Sequence, residues 1–241
     1  MICFLTSSPI FYGTDVLNPA NGFLDRLRAC FPQPCRAVFV CSDPDGHVRT
    51  DLFAASVQRS FEAEGFSFER YAVLDGRNRE QAASLIREAN FLILAGGHVP
   101  TQNRFFARIG LRELLASFDG VLVGISAGSM NSAETVYAQP EWEGEAIDPD
   151  YRRFLPGLGL TSQMLLPHYQ SLKDEVLDGL RIMEDIAYPD SMGRTITVLV
   201  DGSYLYLDDC KETVFGEAYR LADGVLTRIS ALGESYEMDA Q

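Results

Sequence analysis

The chain has 241 residues, 46% hydrophobic and 22% charged, ordinary globular proportions with length enough to bury a large core. Its formal net charge of -14 repels phosphate backbones and anionic lipid, which argues against nucleic acid and membrane surfaces as partners. Five cysteines, Cys3, Cys30, Cys35, Cys41 and Cys210, match no zinc spacing, and reduced thiols are expected of them. The first residues lack a basic stretch and a long apolar run, and no segment approaches the roughly eighteen apolar residues of a membrane span. A soluble, cytoplasmic protein is therefore expected.

Short apolar runs alternate with amphipathic stretches over most of the chain. Ile2 to Thr6 reads as a first strand, followed by a polar loop and a helix starting near Asn21. Arg36 to Cys41 is a second strand, and Leu52, Phe53, Val57 and Phe61 recur at helical spacing between about Thr50 and Glu64. Phe68 to Leu74 is a strand, Arg77 to Ala89 a helix, and Phe91 to Leu94 a strand that breaks at Gly96-Gly97. A helix is predicted over Thr101 to Phe118 and a buried strand over Val121 to Ile125. After His168 a helix is expected over about Leu172 to Ile186. Strand-like runs then follow at Thr195 to Val200, Tyr204 to Leu207, Val214 to Tyr219 and Val225 to Ile229, joined by turns that suggest hairpins at one edge. Strands buried on both faces and separated by helices imply a mostly parallel sheet within one α/β domain over residues 1–241. Ligands bind such sheets outside the carboxyl ends of the strands.

Two glycine turns mark that edge. Gly124-Ile125-Ser126-Ala127-Gly128 fits G-x-S-x-G, after an apolar strand and before a stretch that can be helical. This turn lifts a serine hydroxyl clear of the sheet, and glycines two residues either side remove side chains that would collide. The amide of Ala127 then points to where a tetrahedral oxyanion would form. At Leu94-Ala95-Gly96-Gly97-His98 paired glycines let backbone amides approach a ligand, so Gly97 is the candidate for a second oxyanion donor. Either turn can equally be a plain strand-to-helix connection.

A serine hydroxyl needs a base, and the chain has three histidines, His47, His98 and His168. His47 lies in a polar loop, and His98 adjoins the glycine pair, where it could touch substrate. His168 follows the apolar run Met164-Leu165-Leu166-Pro167 and would end a strand at the serine's edge, so it is the best base candidate. Asp201, at the end of Val198-Leu199-Val200, is the candidate to orient the imidazole, although Asp-Gly is also a common hairpin turn. Glu141, Glu143 and Glu145, in an acidic loop expected to border the site, are rival carboxylates.

Leu94-Ala95-Gly96-Gly97, Gly124-Ile125-Ser126-Ala127-Gly128, Pro167-His168-Tyr169 and Asp201-Gly202, in this order, resemble peptidase family S51, which includes dipeptidase E and cyanophycinase. The resemblance implies a flavodoxin-like three-layer α/β/α sandwich with a mostly parallel sheet, related to class I glutamine amidotransferases, plus C-terminal β-hairpins. It maps Ser126 to the nucleophile, His168 to the base, Asp201 to the third member, where the dipeptidase has glutamate, and Gly97 and Ala127 to the oxyanion positions. Two departures stand out. The glycine turn continues as His98-Val99-Pro100 in place of the usual Gly-Asn-Thr, and Gln170 to Glu175 lacks the arginine with which the dipeptidase branch binds an acidic substrate side chain.

The expected function is a serine hydrolase that cleaves a peptide or isopeptide bond in a small substrate through an acyl-enzyme, as a monomer or homodimer, with no metal or cofactor. An esterase or amidase on the same fold, and a non-catalytic binding protein that kept the elbow, are the alternatives.

Overall fold

Alternation of side chains along five short strands sets the layers. A computed structural model, describing residues 1–208 and 211–238, pairs β1 (Ile2–Thr6), β2 (Arg36–Val40), β3 (Arg70–Leu74), β4 (Phe91–Leu94) and β5 (Val121–Ile125) in parallel, in the order β1-β5-β4-β2-β3. Successive strand residues point to opposite faces. Phe4, Ala37, Phe39, Phe91, Ile93 and Val123 enter one core, shared with α1 (Phe23–Cys30) and α2 (His47–Ala63). Cys3, Leu5, Val38, Leu92, Leu94 and Leu122 enter the other, beneath α3 (Ala82–Glu88), α4 (Val99–Arg108), α5 (Leu111–Leu115) and α6 (Ala127–Asn131). Helices on both faces of a buried parallel sheet make the three-layer sandwich that the apolar runs predict.

The rest of the chain adds a second sheet. After the ribbon β6 (Thr135–Tyr137) and β7 (Phe154–Pro156) come β8 (Met164–Leu166), α7 (Tyr169–Leu172) and a hairpin of β9 (Val176–Leu177) and β10 (Leu180–Arg181). A π-helical segment, Ile182–Ala187, leads into α8 (Tyr188–Asp190). Six strands follow: β11 (Thr195–Leu199), β12 (Tyr204–Asp208), β13 (Lys211–Phe215), β14 (Ala218–Ala222), β15 (Val225–Ser230) and β16 (Ser235–Glu237). β12 joins β1 antiparallel and continues through β13 to β16, completing an eight-stranded sheet. β8, β11, β14 and β15 form a separate four-stranded sheet in which β8 and β11 run parallel. One face of it packs Leu165, Leu199 and Ala218 onto the main core. The other sends Leu166, Ile196, Val198 and Leu221 into a third cluster with Ile182 and Ile186.

Three expectations are corrected here. The helix expected over Leu172 to Ile186 is interrupted, because Asp178 and Gly179 both take positive φ (54° and 83°) and turn the chain into the β9–β10 hairpin. The strand expected over Val214 to Tyr219 breaks at Gly216 (φ +93°), and its halves enter different sheets. The helix expected over Thr101 to Phe118 divides at Gly110 (φ +63°). Cys3, Cys35 and Cys41 are buried free thiols and Cys30 is half-buried; Cys210 lies outside the described residues. No helix of the described residues is long and apolar enough to cross a membrane.

The first core contains a ring cluster of Phe31, Phe61, Phe66, Phe68 and Phe91 with centroids 4.7 to 6.3 Å apart. Phe91 is fully buried at its centre. Phe91→Ala is expected to cost about 3–5 kcal/mol, through lost burial and the cavity left behind, read as a lower urea midpoint with an unchanged slope.

Candidate active site

The tight packing around the β5–α6 turn explains its glycines. Ser126 sits between strand and helix at φ 50°, ψ -109°, a conformation that costs a non-glycine residue of order 1–3 kcal/mol and persists only where the surroundings enforce it. They do so here. The Ser126 amide donates to Thr6 O at 3.1 Å, the Thr6 hydroxyl to Gly124 O at 2.7 Å and the Ser129 hydroxyl to Thr6 O at 2.8 Å. A Cβ on Gly128 would come within 2.3 Å of Leu94 O, and one on Gly124 within 2.8 Å of Ser129 Oγ. The helix packs against the strands too closely for any side chain at either position.

His168 meets Ser126 from the other sheet. It follows β8 at positive φ (62°), and its Nε2 lies 2.8 Å from Ser126 Oγ while its Nδ1 lies 2.7 Å from Asp201 Oδ1. An ionised carboxylate only accepts, so Nδ1 carries the proton toward Asp201 and a neutral Nε2 accepts the serine hydroxyl. Burial pushes the Asp201 carboxyl up, but the hydrogen bond and charge of His168, with Ser7 and Gln170 assisting, more than offset it and hold the group below the ordinary carboxylate range. Asp201 lies between β11 and β12, which belong to different sheets, so its turn with Gly202 is a crossing between sheets and not a hairpin within one.

Ser7 escaped the sequence reading. Fully buried just past β1, it donates its hydroxyl to Asp201 Oδ1 at 2.6 Å and accepts the His168 backbone N–H at 2.9 Å. Gln170 Oε1 in turn accepts the Asp201 amide at 3.1 Å. The one available signal for Ser7 was its place at the carboxyl end of an apolar strand, the edge on which Ser126 also sits.

Ser126, His168, Asp201 and Gln170 line a cleft of about 960 Å³ together with Gly97, His98, Gln139, Glu141, Trp142 and Glu175, within the size range of small-ligand sites. Gly97 has φ +146°, and a Cβ there would meet Ser42 Oγ at 2.3 Å, so only glycine fits. Its amide donates to no acceptor among the described residues. Ala127 opens α6, and a first-turn amide has no helical carbonyl to bind.

The acidic loop is held by His98, and none of its carboxylates bonds His168 among the described residues. His98 Nε2 lies 2.9 Å from Glu145 Oε1 and Nδ1 lies 2.8 Å from the Thr101 hydroxyl. The other Glu145 oxygen accepts the amides of Glu141 and Trp142, each at 3.0 Å. The Trp142 indole stacks on the His98 ring at 3.6 Å. Burial lowers the His98 pKa more than Glu145 and its hydrogen bond raise it, which favours a neutral ring. Of the rival carboxylates, Asp201 is the one that meets His168.

No curated protein matches the sequence. Among solved structures, the crystal structure of a candidate peptidase E protein from Listeria monocytogenes EGD-e is similar, with a TM-score of 0.54 at 15% identity, over 99% of this chain and 98% of that one. At that identity the likeness bears on the fold alone. The family model for peptidase family S51 matches residues 4–214, well over half of the sequence, and the chain therefore belongs to peptidase family S51.

Proposed function

We propose that the protein is a serine-type peptidase that cleaves a peptide or isopeptide bond in a small substrate through an acyl-enzyme on Ser126. The observation that carries this reading is the continuous chain from Ser126 Oγ to His168 to Asp201, at 2.8 and 2.7 Å, on the wall of one cleft. In the first step Ser126 Oγ attacks the scissile carbonyl carbon as His168 Nε2 takes its proton. The carbonyl oxygen becomes an oxyanion, which the amides of Gly97 and Ala127 receive. The imidazolium returns the proton to the leaving amine as the C–N bond breaks. Water, deprotonated by the same imidazole, then releases the acid and restores the hydroxyl. Asp201 stabilises the imidazolium and keeps Nδ1 protonated throughout, without taking the proton itself. Membership in a peptidase family favours amide over ester bonds as the natural target. A cleft of about 960 Å³ accommodates a short substrate, and the net charge of -14 disfavours nucleic acid and anionic membranes.

Ser126→Ala is expected to abolish fluorophosphonate labelling and to reduce hydrolysis across a panel of short peptides, isopeptides and esters by about 10⁴-fold or more; retained turnover would overturn the scheme. Ser7 touches Asp201 and the His168 backbone and is a positioning residue. Ser7→Ala is expected to lower kcat roughly ten- to a hundredfold with KM nearly unchanged, since a hydrogen bond to a charged group is lost at a distance from substrate.

Asp201→Asn is expected to lower kcat by about 10³–10⁴-fold, because an amide can hold the wrong imidazole tautomer. It also carries a stability signature. A carboxyl held below its ordinary value contributes stability above its unfolded pKa of about 3.9 and loses it as pH falls through the lower folded value. The gap in unfolding free energy between wild type and Asp201→Asn should be largest above about pH 4 and shrink below it; a gap that widens on acidification contradicts the assignment.

A further inference from the structure

The cleft does not end at the triad. A second chamber of about 560 Å³ opens beside it, walled by Pro9, Ile10, Phe11, Tyr12, Phe53 and Ile125. Ser8, Tyr12 and Phe53 line both spaces, so the two adjoin. The chamber also lies against the catalytic groups. Ile125 immediately precedes Ser126, and the Ser8 carbonyl accepts the Gly202 amide at 3.2 Å, next to Asp201. A substrate held at Ser126 therefore has this chamber within reach of a neighbouring side chain.

The polar side chains of this chamber are already committed, the Tyr12 hydroxyl apart. The Ser8 hydroxyl donates to Ile10 O at 2.7 Å and the Thr14 hydroxyl to Phe11 O at 2.8 Å. The Ser56 hydroxyl donates to Asp15 Oδ1, and Asp15 Oδ2 accepts the Arg59 Nε–H at 2.8 Å. Asp15 is the one charged residue among the described lining residues, and Arg59 pairs with it. What the wall offers a ligand is apolar surface, including the rings of Phe11, Tyr12 and Phe53. Phe11 is 46% exposed and Tyr12 fully exposed, and a bound apolar group would remove that surface from water. The wall is also preorganised. Ile10 bridges Leu17, the Phe11 amide donates to Val16 O at 3.0 Å, and Leu17 is buried in the core. Asp15 pins the same loop to α2 through Ser56 and Arg59, so binding orders little that is not ordered already.

We propose that this chamber is a subsite for an aromatic or long aliphatic side chain of the substrate, next to the bond that Ser126 attacks. Rings and branched apolar groups gain from burial against Ile10, Phe11, Phe53 and Ile125. A charged side chain would lose hydration there without meeting an uncommitted partner. The inference rests on the reading of the cleft as a hydrolase site, from which it takes the position of the scissile bond, and it names the class of side chain that this site prefers.

The test is calorimetric titration of the full-length Ser126→Ala protein, which separates binding from turnover. The ligands are Ala-Ala and the dipeptides that place Phe, Lys or Glu before or after a single Ala. One phenylalanyl dipeptide is expected to bind about tenfold or more tightly than Ala-Ala, and more tightly than its lysyl and glutamyl counterparts. Which of the two does so shows on which side of the scissile bond the chamber lies. Replacing both exposed rings, Phe11→Ser together with Tyr12→Ser, should remove most of that preference. Location is read without any change to the wall from the δ-methyl NMR signals of Ile10 and Ile125, which a bound phenyl ring should shift and Ala-Ala should leave nearly in place. Equal affinity for Ala-Ala and both phenylalanyl dipeptides, no binding of any, or tighter binding of a charged counterpart overturns the subsite. So does a preference that survives the double substitution or leaves both methyl signals unmoved. Fluorophosphonate labelling of Ser126 in the wild type reports the hydrolase reading independently: labelling without apolar preference removes the subsite alone, and apolar preference without labelling removes the hydrolase reading alone.

Discussion

The imidazole of His168 has one proton to give and one to receive, and its two partners come from different places in the fold. Ser126 ends a strand of the large sheet, while His168 and Asp201 follow neighbouring parallel strands of the small one. Hydrogen bonds of 2.7 and 2.8 Å tolerate little sliding of one sheet against the other. The contact between the sheets must therefore be stiff. Leu165, Leu199 and Ala218 supply apolar packing from the small sheet into the main core. Ser7 supplies a polar stitch at the site itself, bonding both the Asp201 carboxylate and the His168 amide from the end of β1. The turn through Asp201 and Gly202, where the chain passes from one sheet to the other, ties them covalently at the same point.

Backbone strain gathers at this junction. Ser126, His168 and Gly97 all take positive φ, and each presents a group to the cleft. Such conformations survive when rigid surroundings over-determine them. Here the surroundings are the Thr6 hydrogen bonds around the elbow, the carbonyl of Leu94 pressed against Gly128, and Ser42 pressed against Gly97. A relaxed turn at Ser126 would carry its hydroxyl away from His168, so the strain holds that hydrogen bond in place.

Electrostatics divides the cleft into two walls. On one, carboxylate, imidazole and hydroxyl satisfy one another in a continuous line of hydrogen bonds. On the other, Glu145 offers one oxygen to His98 and the other to the backbone of its own loop. The acidic loop is thereby held in place by its own backbone and by His98.

Much of this was readable in one dimension because it is local. Parallel strands buried on both faces need uninterrupted apolar runs, and β1, β2, β4 and β5 stand as such runs in the sequence, with β3 at the half-buried edge. The elbow is legible because Gly124 and Gly128 flank Ser126 within one five-residue motif, although the atoms that exclude a side chain at Gly128 belong to Leu94. The order of the glycine turn, elbow, histidine and aspartate pointed to the family. Single glycines, each able to leave the helical or extended region at no steric cost, decided where Thr101 to Phe118, Leu172 to Ile186 and Val214 to Tyr219 would break, and periodicity alone could not weigh them. The partners of His98, the role of Ser7 and the choice of Asp201 over the 141–145 carboxylates were illegible for a different reason. Each is a contact between segments tens to nearly two hundred residues apart. Which acceptor a histidine meets depends on how two sheets dock, and docking is decided by packing across layers that no run of neighbouring residues encodes.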